Sequence, residues 1–443
     1  MKKLFSSYIG FLLAFFLCGC ATTTPESVGK KELHQITPEY EGEKELGSIC
    51  KKYDYINLES LNDSRRDVSE LWRKFDKYYN ASRAPKGRKL AVFLDGTSND
   101  ADKPTNVWKL YHLAVAQACE GNPVIPYYDK GVGSKWWNPE DILFGNLLGD
   151  GVGKNIKQAY EFLSQTYSKN NNDKIYIFGF SRGAFTARSL NGLIEFAGLL
   201  DWTNKPENSH FKDVVDNVYD QYHVKNDDAA AVLKKQIRDY ELKKYPEYTF
   251  KNVKVQAIGV FDTVPALGFK EDPKNHKLQL YANKGFHALA LDEHRKPFEL
   301  NRFNKKDINK ENQVLHEVWF AGGHSNIGGG YSSTMGCNII NKDGLEATPL
   351  NWMIAQFKDE HLFPDTPPFP ECIDGELHDA FYPLYRIVGE LQRKPEENDV
   401  IHESVLQRMK IEKLDFPHYK RESGGRYVPL PMLPKNYTIE STK

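Results

Sequence analysis

The sequence predicts an α/β protein built on a mostly parallel sheet with helices on both faces. Three observations carry this. Apolar, β-branched and aromatic runs recur at residues 90–94, 123–128, 175–180, 253–261 and 314–320. Stretches with helical apolar spacing separate most of them, which is the pattern of βαβ units. Four of the runs lead directly or within a short loop to a chemically able residue, namely Asp95, Ser181, Asp262 and His324. In an open α/β sheet such strand ends converge on one edge, where ligands bind.

The chain has 443 residues, with 40% hydrophobic and 13% aromatic content, enough for a large core in one decorated domain or two domains. A net charge of −1 leaves no basic surplus, so nucleic acid is not an expected partner. No internal repeat or low-complexity tract interrupts it.

The first twenty residues do not read as fold. Lys2 and Lys3 precede an apolar stretch, residues 8–17, that is too short to span a bilayer. Leu17-Cys18-Gly19-Cys20 follows. A small residue before a cysteine at this point resembles a bacterial lipobox. The resemblance implies that residues 1–20 are a lipoprotein signal peptide and that Cys20 becomes the acylated N-terminus, its chains each adding about 0.8 kcal/mol per buried methylene. Ala21, which is not an aspartate, implies sorting to the outer membrane in a Gram-negative host. A plain signal peptide is the alternative. Residues 21–88 read as a polar tether and an N-terminal helix, with Leu61, Val68, Leu71, Trp72 and Phe75 roughly on one face. Cys50, Cys119, Cys337 and Cys372 fit no zinc-ligand spacing and are expected to be free, though an oxidising compartment allows a disulfide. No metal or cofactor is called for.

The run 90–94 leads into Asp95-Gly96-Thr97. This resembles the Asp-x-Asp-Gly-Thr signature of haloacid dehalogenases, but Phe93 occupies the place of the nucleophilic aspartate and excludes that reading. Residues 107–118 and 149–167 have helical spacing. Gly153-Lys154 has the look of a phosphate loop, yet Leu148 replaces its first glycine, Asn155 replaces its hydroxyl residue and no strand leads in, so nucleotide binding is set aside.

At Gly179-Phe180-Ser181-Arg182-Gly183 an apolar strand meets Gly-x-Ser-x-Gly, and a helical segment follows to Leu199. That is the setting of a nucleophile elbow. The two glycines lack side chains where strand and helix come close. The Arg182 amide, at the helix start, faces a developing oxyanion, and Gly96 and Thr97 stand where a second donor is expected. A glycine-rich turn with an N-capping serine is the plainer alternative. Residues 211–244 have helical spacing and form an insertion, either a cap over the site or helices packed on the sheet.

Ser181, Asp262 and His324 occur in the chain order of α/β-hydrolases. A serine hydroxyl is a poor nucleophile until a base takes its proton. His324 is the candidate base, and Asp262 is the carboxylate that fixes its tautomer and balances the imidazolium. Residues 286–295 read as the start of a helix, and His287 on it is the second candidate base. Asp95 is the second candidate acid.

Four segments together resemble one family. They are Phe93-Leu94-Asp95-Gly96-Thr97, Gly179-Phe180-Ser181-Arg182-Gly183-Ala184-Phe185, Gly259-Val260-Phe261-Asp262-Thr263-Val264 and Gly323-His324-Ser325-Asn326-Ile327-Gly328-Gly329-Gly330-Tyr331. The family is the α/β-hydrolase group of formerly unknown function that includes the first class of type VI secretion phospholipase effectors. The resemblance covers about residues 89–410. It implies an α/β-hydrolase-like catalytic domain over 89–360. Within that range 203–250 is the candidate helical cap, and the proline- and aromatic-rich residues 361–443 read as irregular structure and short helices packed on the core. The resemblance also implies a Ser–His–Asp hydrolase acting on phospholipids or other lipid esters. The family usually has aspartate where Asn326 stands, which removes a carboxylate beside the base. An effector sent into a rival cell does not carry its own lipobox, so the two resemblances together point to a resident envelope lipoprotein. Two other readings stay open: a non-catalytic binding lipoprotein on the same fold, and an esterase on soluble or cell-wall-linked esters.

Overall fold

The computed structural model describes residues 50, 71–80, 86–96, 104–131, 148–201, 210–222, 249–265, 279–309, 311–331, 344–365, 369–378, 389–412, 414 and 426–442. Of the two units into which the chain divides, Met1–Glu39 lies wholly outside these residues, so the described fold is that of Tyr40–Lys443. In chain order the elements are α1 (Leu71–Asn80), β1 (Lys89–Leu94), α2 (Asn106–Cys119), β2 (Val124–Asp129), α3 (Leu148–Thr166), β3 (Lys174–Phe180), α4 (Arg182–Ala197), β4 (Leu199–Leu200), α5 (His210–Tyr222), β5 (Phe250–Lys251), β6 (Ala257–Phe261), β7 (Lys284–Ala290), β8 (Val314–Phe320), α6 (His324–Gly328), α7 (Ala347–Ala355), β9 (Val400–His402), α8 (Glu403–Met409) and β10 (Thr438–Glu440).

Eight strands form one sheet in the order β10-β9-β8-β7-β6-β3-β1-β2, and every pairing in it is parallel. β4 and β5 make a separate antiparallel ribbon. Parallel strands covered by helices on both faces read as unbroken apolar runs, and β1 and β3 do: after its first residue each is buried throughout. Phe93 on β1 stacks on Phe178 of β3, centroids 5.0 Å apart, and Phe363 closes over both. Burial of a side chain of this size stabilises by about 2–3 kcal/mol. The chain runs from β1 outward to β2, then returns to the other side of β1 for β3. β1 and β3 therefore flank the topological switch point, and Ser181 follows the last residue of β3 there.

Several expectations need correction. Residues 284–290 are not the start of a helix but β7, buried between β6 and β8. The run from 253 pairs as a strand only from Ala257; its lead-in is held by single bonds, Gln256 N–H to Ile175 O and Asn283 N–H to Val255 O. The helix after the elbow stops at Ala197, capped by Gly198. The 361–443 extension is not only irregular, since β9 and β10 extend the main sheet. The cysteines are not all free: Cys50 bonds Cys119, and Cys372 is also in a disulfide.

α1 falls within the expected N-terminal helix and buries Leu71, Trp72 and Phe75, with Trp72 edge-on to Phe162 of α3. α5, the described part of the insertion, packs on α3 and α4, with Tyr219 beside Gly153 and Tyr222 beside Gly192. Residues 203–209 and 223–248 of the expected cap lie outside the described residues. Among the described residues no helix is long and apolar enough to cross a membrane.

Candidate active site

Ser181 sits between β3 and α4 with φ 59° and ψ −125°, a backbone region that costs a non-glycine residue about 1–3 kcal/mol. The turn is held by the Ser181 N–H, which donates to Phe261 O at 3.1 Å, and by the Ala184 N–H, which donates to Ser181 O at 3.1 Å. Gly179 and Gly183 make it possible. A Cβ on Gly179 would lie 2.5 Å from Gly183 O, and one on Gly183 would collide with the backbone carbonyls of Leu94 and Asp95. Backbone cannot swing aside as a flexible side chain can. Gly183→Ala is therefore expected to lower stability by about 1–3 kcal/mol, as overpacking does, and to displace Ser181. A thermal melt together with a serine-reactive probe checks this: wild-type stability and labelling would show that the turn has slack.

The sheet register brings the acid alongside. Phe180 pairs with Phe261, so Ser181 and Asp262 are the next residues out on neighbouring strands. Asp262 also has a positive φ, 42°. His324 opens α6, just beyond β8. The three side chains form one hydrogen-bonded line: Ser181 Oγ lies 2.8 Å from His324 Nε2, and His324 Nδ1 lies 2.6 Å from Asp262 Oδ2. The imidazole is buried against the rings of Phe180 and Phe298, with centroids 4.6 and 4.9 Å away. Burial pulls the His324 pKa below its ordinary value, against the opposing pull of Asp262, so the ring is neutral and able to accept a proton at neutral pH. Burial alone would raise the Asp262 carboxyl, but Arg393 and His324 hold it far below its usual range.

The sequence matches the model of the type VI secretion phospholipase effector Tle1-like catalytic domain over residues 88–356, more than half of the chain. The chain belongs to this Tle1-like family. The uncharacterized protein YEL023C of Saccharomyces cerevisiae is 29% identical over 241 residues, which are 49% of this chain and 33% of the yeast protein. Among solved structures, an uncharacterized protein from Pseudomonas aeruginosa shares 16% identity at a TM-score of 0.37, covering 70% of this chain and 49% of that one. The Tle1 effector bound to the VgrG spike of the type 6 secretion system shares 19% identity at a TM-score of 0.31, covering 56% and 52%. The chain thus spans about a third of the yeast protein and about half of each solved chain.

Around its serine, this Tle1-like chain brings together further charged groups, one of them from beyond the matched residues. Arg393 grips both oxygens of Asp262. Glu293 Oε2 accepts the His324 backbone N–H at 3.1 Å, and Arg295 pairs with the same Glu293 while lying over the Phe298 ring. Burial would raise the Glu293 carboxyl, but Arg295 brings it down to about 2. Glu293 follows β7 closely, so a strand reading of residues 284–290 would have placed it on the active edge. No pattern in Gln392-Arg393-Lys394 marks Arg393.

The remaining candidates separate cleanly. Asp95 is not aligned with His324. Its Oδ2 accepts the hydroxyls of Thr105 and Tyr128 at 2.5 and 2.8 Å, and its Oδ1 accepts the Gly96 N–H at 2.7 Å. Asp95 thus anchors the N-cap of α2, and through it the loop after α6, because Thr105 bridges to Gly329. The Gly96 amide is turned toward Asp95, and Arg182 is the first residue of α4, directly after Ser181. His287 is buried on β7, with Nε2 at Thr263 and Nδ1 3.1 Å from Glu317, so both ring nitrogens are committed elsewhere. Asn326 is a clasp. Its Oδ1 accepts the N–H groups of Gly323 and His378, and its Nδ2 donates to Glu376 O at 3.1 Å. An ionised aspartate could not make that last bond. Thr97 and Cys20 lie outside the described residues.

Proposed function

We propose that this chain is a serine hydrolase of the cell envelope that cleaves carboxylic esters of phospholipids through an acyl-enzyme. The observation that carries the reading is the hydrogen-bonded line from Ser181 through His324 to Asp262, with the serine on a strained elbow. Membership of a phospholipase effector family supplies the substrate class.

Ser181 Oγ attacks the ester carbonyl carbon as its proton passes to His324 Nε2. The imidazolium keeps its Nδ1–H on Asp262, which is already ionised and so balances the new charge without itself moving a proton. The carbonyl oxygen becomes an oxyanion beside the Arg182 amide at the start of α4. Collapse breaks the ester bond, and the leaving alcohol oxygen takes the proton from Nε2. Water then attacks the acyl carbon as its proton passes to His324 Nε2; the acyl–Oγ bond breaks, Ser181 Oγ takes the proton back from Nε2, and the fatty acid leaves.

The envelope reading rests on the Leu17-Cys18-Gly19-Cys20 lipobox and agrees with the disulfides, which persist in oxidising compartments. In it the acylated Cys20 holds the domain at a membrane, probing the same surface that presents its substrate. The deciding experiment measures fatty-acid release from phospholipid vesicles by residues 21–443, beside hydrolysis of dissolved short-chain esters. Release from vesicles is expected to dominate. Turnover of the soluble esters alone would replace the phospholipid by a soluble substrate, and no turnover of either would end the hydrolase reading. Palmitate labelling of the full chain in cells is expected to vanish on Cys20→Ser, and labelling that survives would remove the anchor.

A further inference from the structure

Asp262 serves His324 only as far as its charge is free to do so, and in this chain that charge is shared. Arg393 Nη1 donates to Oδ1, and its Nη2 donates to Oδ2 at 3.0 Å, a fork set squarely on the carboxylate. The Ala290 N–H also reaches Oδ1, at 2.9 Å. The guanidinium is itself pinned, Nη1 to Ala290 O at 2.9 Å and Nη2 to Phe298 O at 2.8 Å, and Arg393 is only 5% exposed. It belongs to the segment leading into β9, beyond the matched residues 88–356.

We infer that Arg393 is a positioning residue of the active site, which fixes the Asp262 carboxylate and divides its charge between a guanidinium and the His324 base. The site is therefore complete only with a residue from outside the family's catalytic domain. This rests on the hydrolase reading above.

The charges facing His324 can be named. Asp262 stands at Nδ1 and Glu293 at the backbone N–H; Arg295 pairs with Glu293, and Arg393 with Asp262. Among the described residues, His287, beside Thr263 and paired with Glu317, is a further titratable group near Asp262. Two carboxylates thus face two guanidinium groups. Without Arg393 the negative pair would outweigh the single cation, and the Asp262–His324 pair would hold its proton to higher pH. A catalyst with that change would need a higher pH to present a neutral base. Arg393 keeps the base available on the acid side and holds the acceptor in line, in exchange for a weaker grip on the imidazolium.

The test is the pH dependence of the rate at which a fluorophosphonate labels Ser181 in the folded chain, with the labelled peptide identified by mass. The wild-type acid limb is expected below the ordinary histidine value of about 6.5. Arg393→Gln is expected to raise its midpoint by about one pH unit, the lower end of the effect of a neighbouring charge. Arg393→Lys keeps the charge without the fork, so it is expected to hold the wild-type midpoint with a lower plateau. A purely structural arginine would lower the plateau and leave every midpoint in place, and that result for a folded Arg393→Gln protein overturns the inference. If Arg393→Gln does not fold, a wild-type midpoint at or above about 6.5, or an Arg393→Lys midpoint that moves up, overturns it instead. Failure of Ser181 to label at any pH would count against the hydrolase reading rather than against Arg393.

Discussion

Ser181→Ala is expected to lose about six orders of magnitude in kcat on phospholipid, as serine hydrolases do when the nucleophile goes. The replacement deletes one oxygen from a residue only 8% exposed, and it leaves Phe180, Phe298 and Asp262 around His324 untouched. The melting temperature is therefore expected to stay close to wild type. Alanine keeps the strain at φ 59°, because that strain comes from Cβ and not from the hydroxyl. Ser181→Gly should be equally inactive but more stable than Ser181→Ala by about 1 kcal/mol, since glycine is at ease in that region. Fatty-acid release and thermal melts on the three proteins decide it. Activity retained in Ser181→Ala would place the chemistry elsewhere, and equal melting of the alanine and glycine variants would mean the elbow holds little strain.

Asp262→Asn is expected to damage both activity and stability. An amide at this position presents the wrong partner to Nδ1 and lowers kcat by about 10⁴-fold where such a carboxylate orients the base. Here it also strips the counter-ion from Arg393, a buried cation. Breaking a buried pair from one side costs about 3–5 kcal/mol. The depressed Asp262 carboxyl gives the wild type stability that is fully present above the unfolded value of about 3.9 and lost as pH falls through the folded value. Asp262→Asn should lose most of that margin at neutral pH and show a flatter acid limb in its stability. Combining it with Arg393→Gln removes both buried charges, so the double variant should regain much of the stability and none of the activity. Chemical denaturation of the four proteins measures the coupling. Additive losses would show that Asp262 and Arg393 contribute nothing as a pair.

Much of this was legible in the sequence because the site sits where parallel strands end. β1, β2, β3 and β8 match their apolar runs to within about a residue, since strands buried on both faces leave a continuous signature. Ser181, Asp262 and His324 could be placed on one edge from that pattern alone. β7 was hidden by its composition: Ala288, Leu289 and Ala290 favour helix locally, and the position between β6 and β8 overrides that preference. With β7 misread, His287 looked available as a second base. β9 and β10 are three residues each, too short to show a period, and they gain their partner strand only from the folded sheet. Arg393 had no signal at all. A buried guanidinium is recognisable only once the carboxylate it faces has been placed.

The most direct test of Ser181 as an activated nucleophile is the mass of the fluorophosphonate adduct on wild-type protein, with and without phospholipid vesicles, mapped to a peptide. A single adduct on Ser181 is expected, abolished by replacement of His324 and absent from Ser181→Ala. Folded wild-type protein that stays unlabelled in both conditions, or carries its adduct on another residue, would contradict the Ser181–His324–Asp262 mechanism.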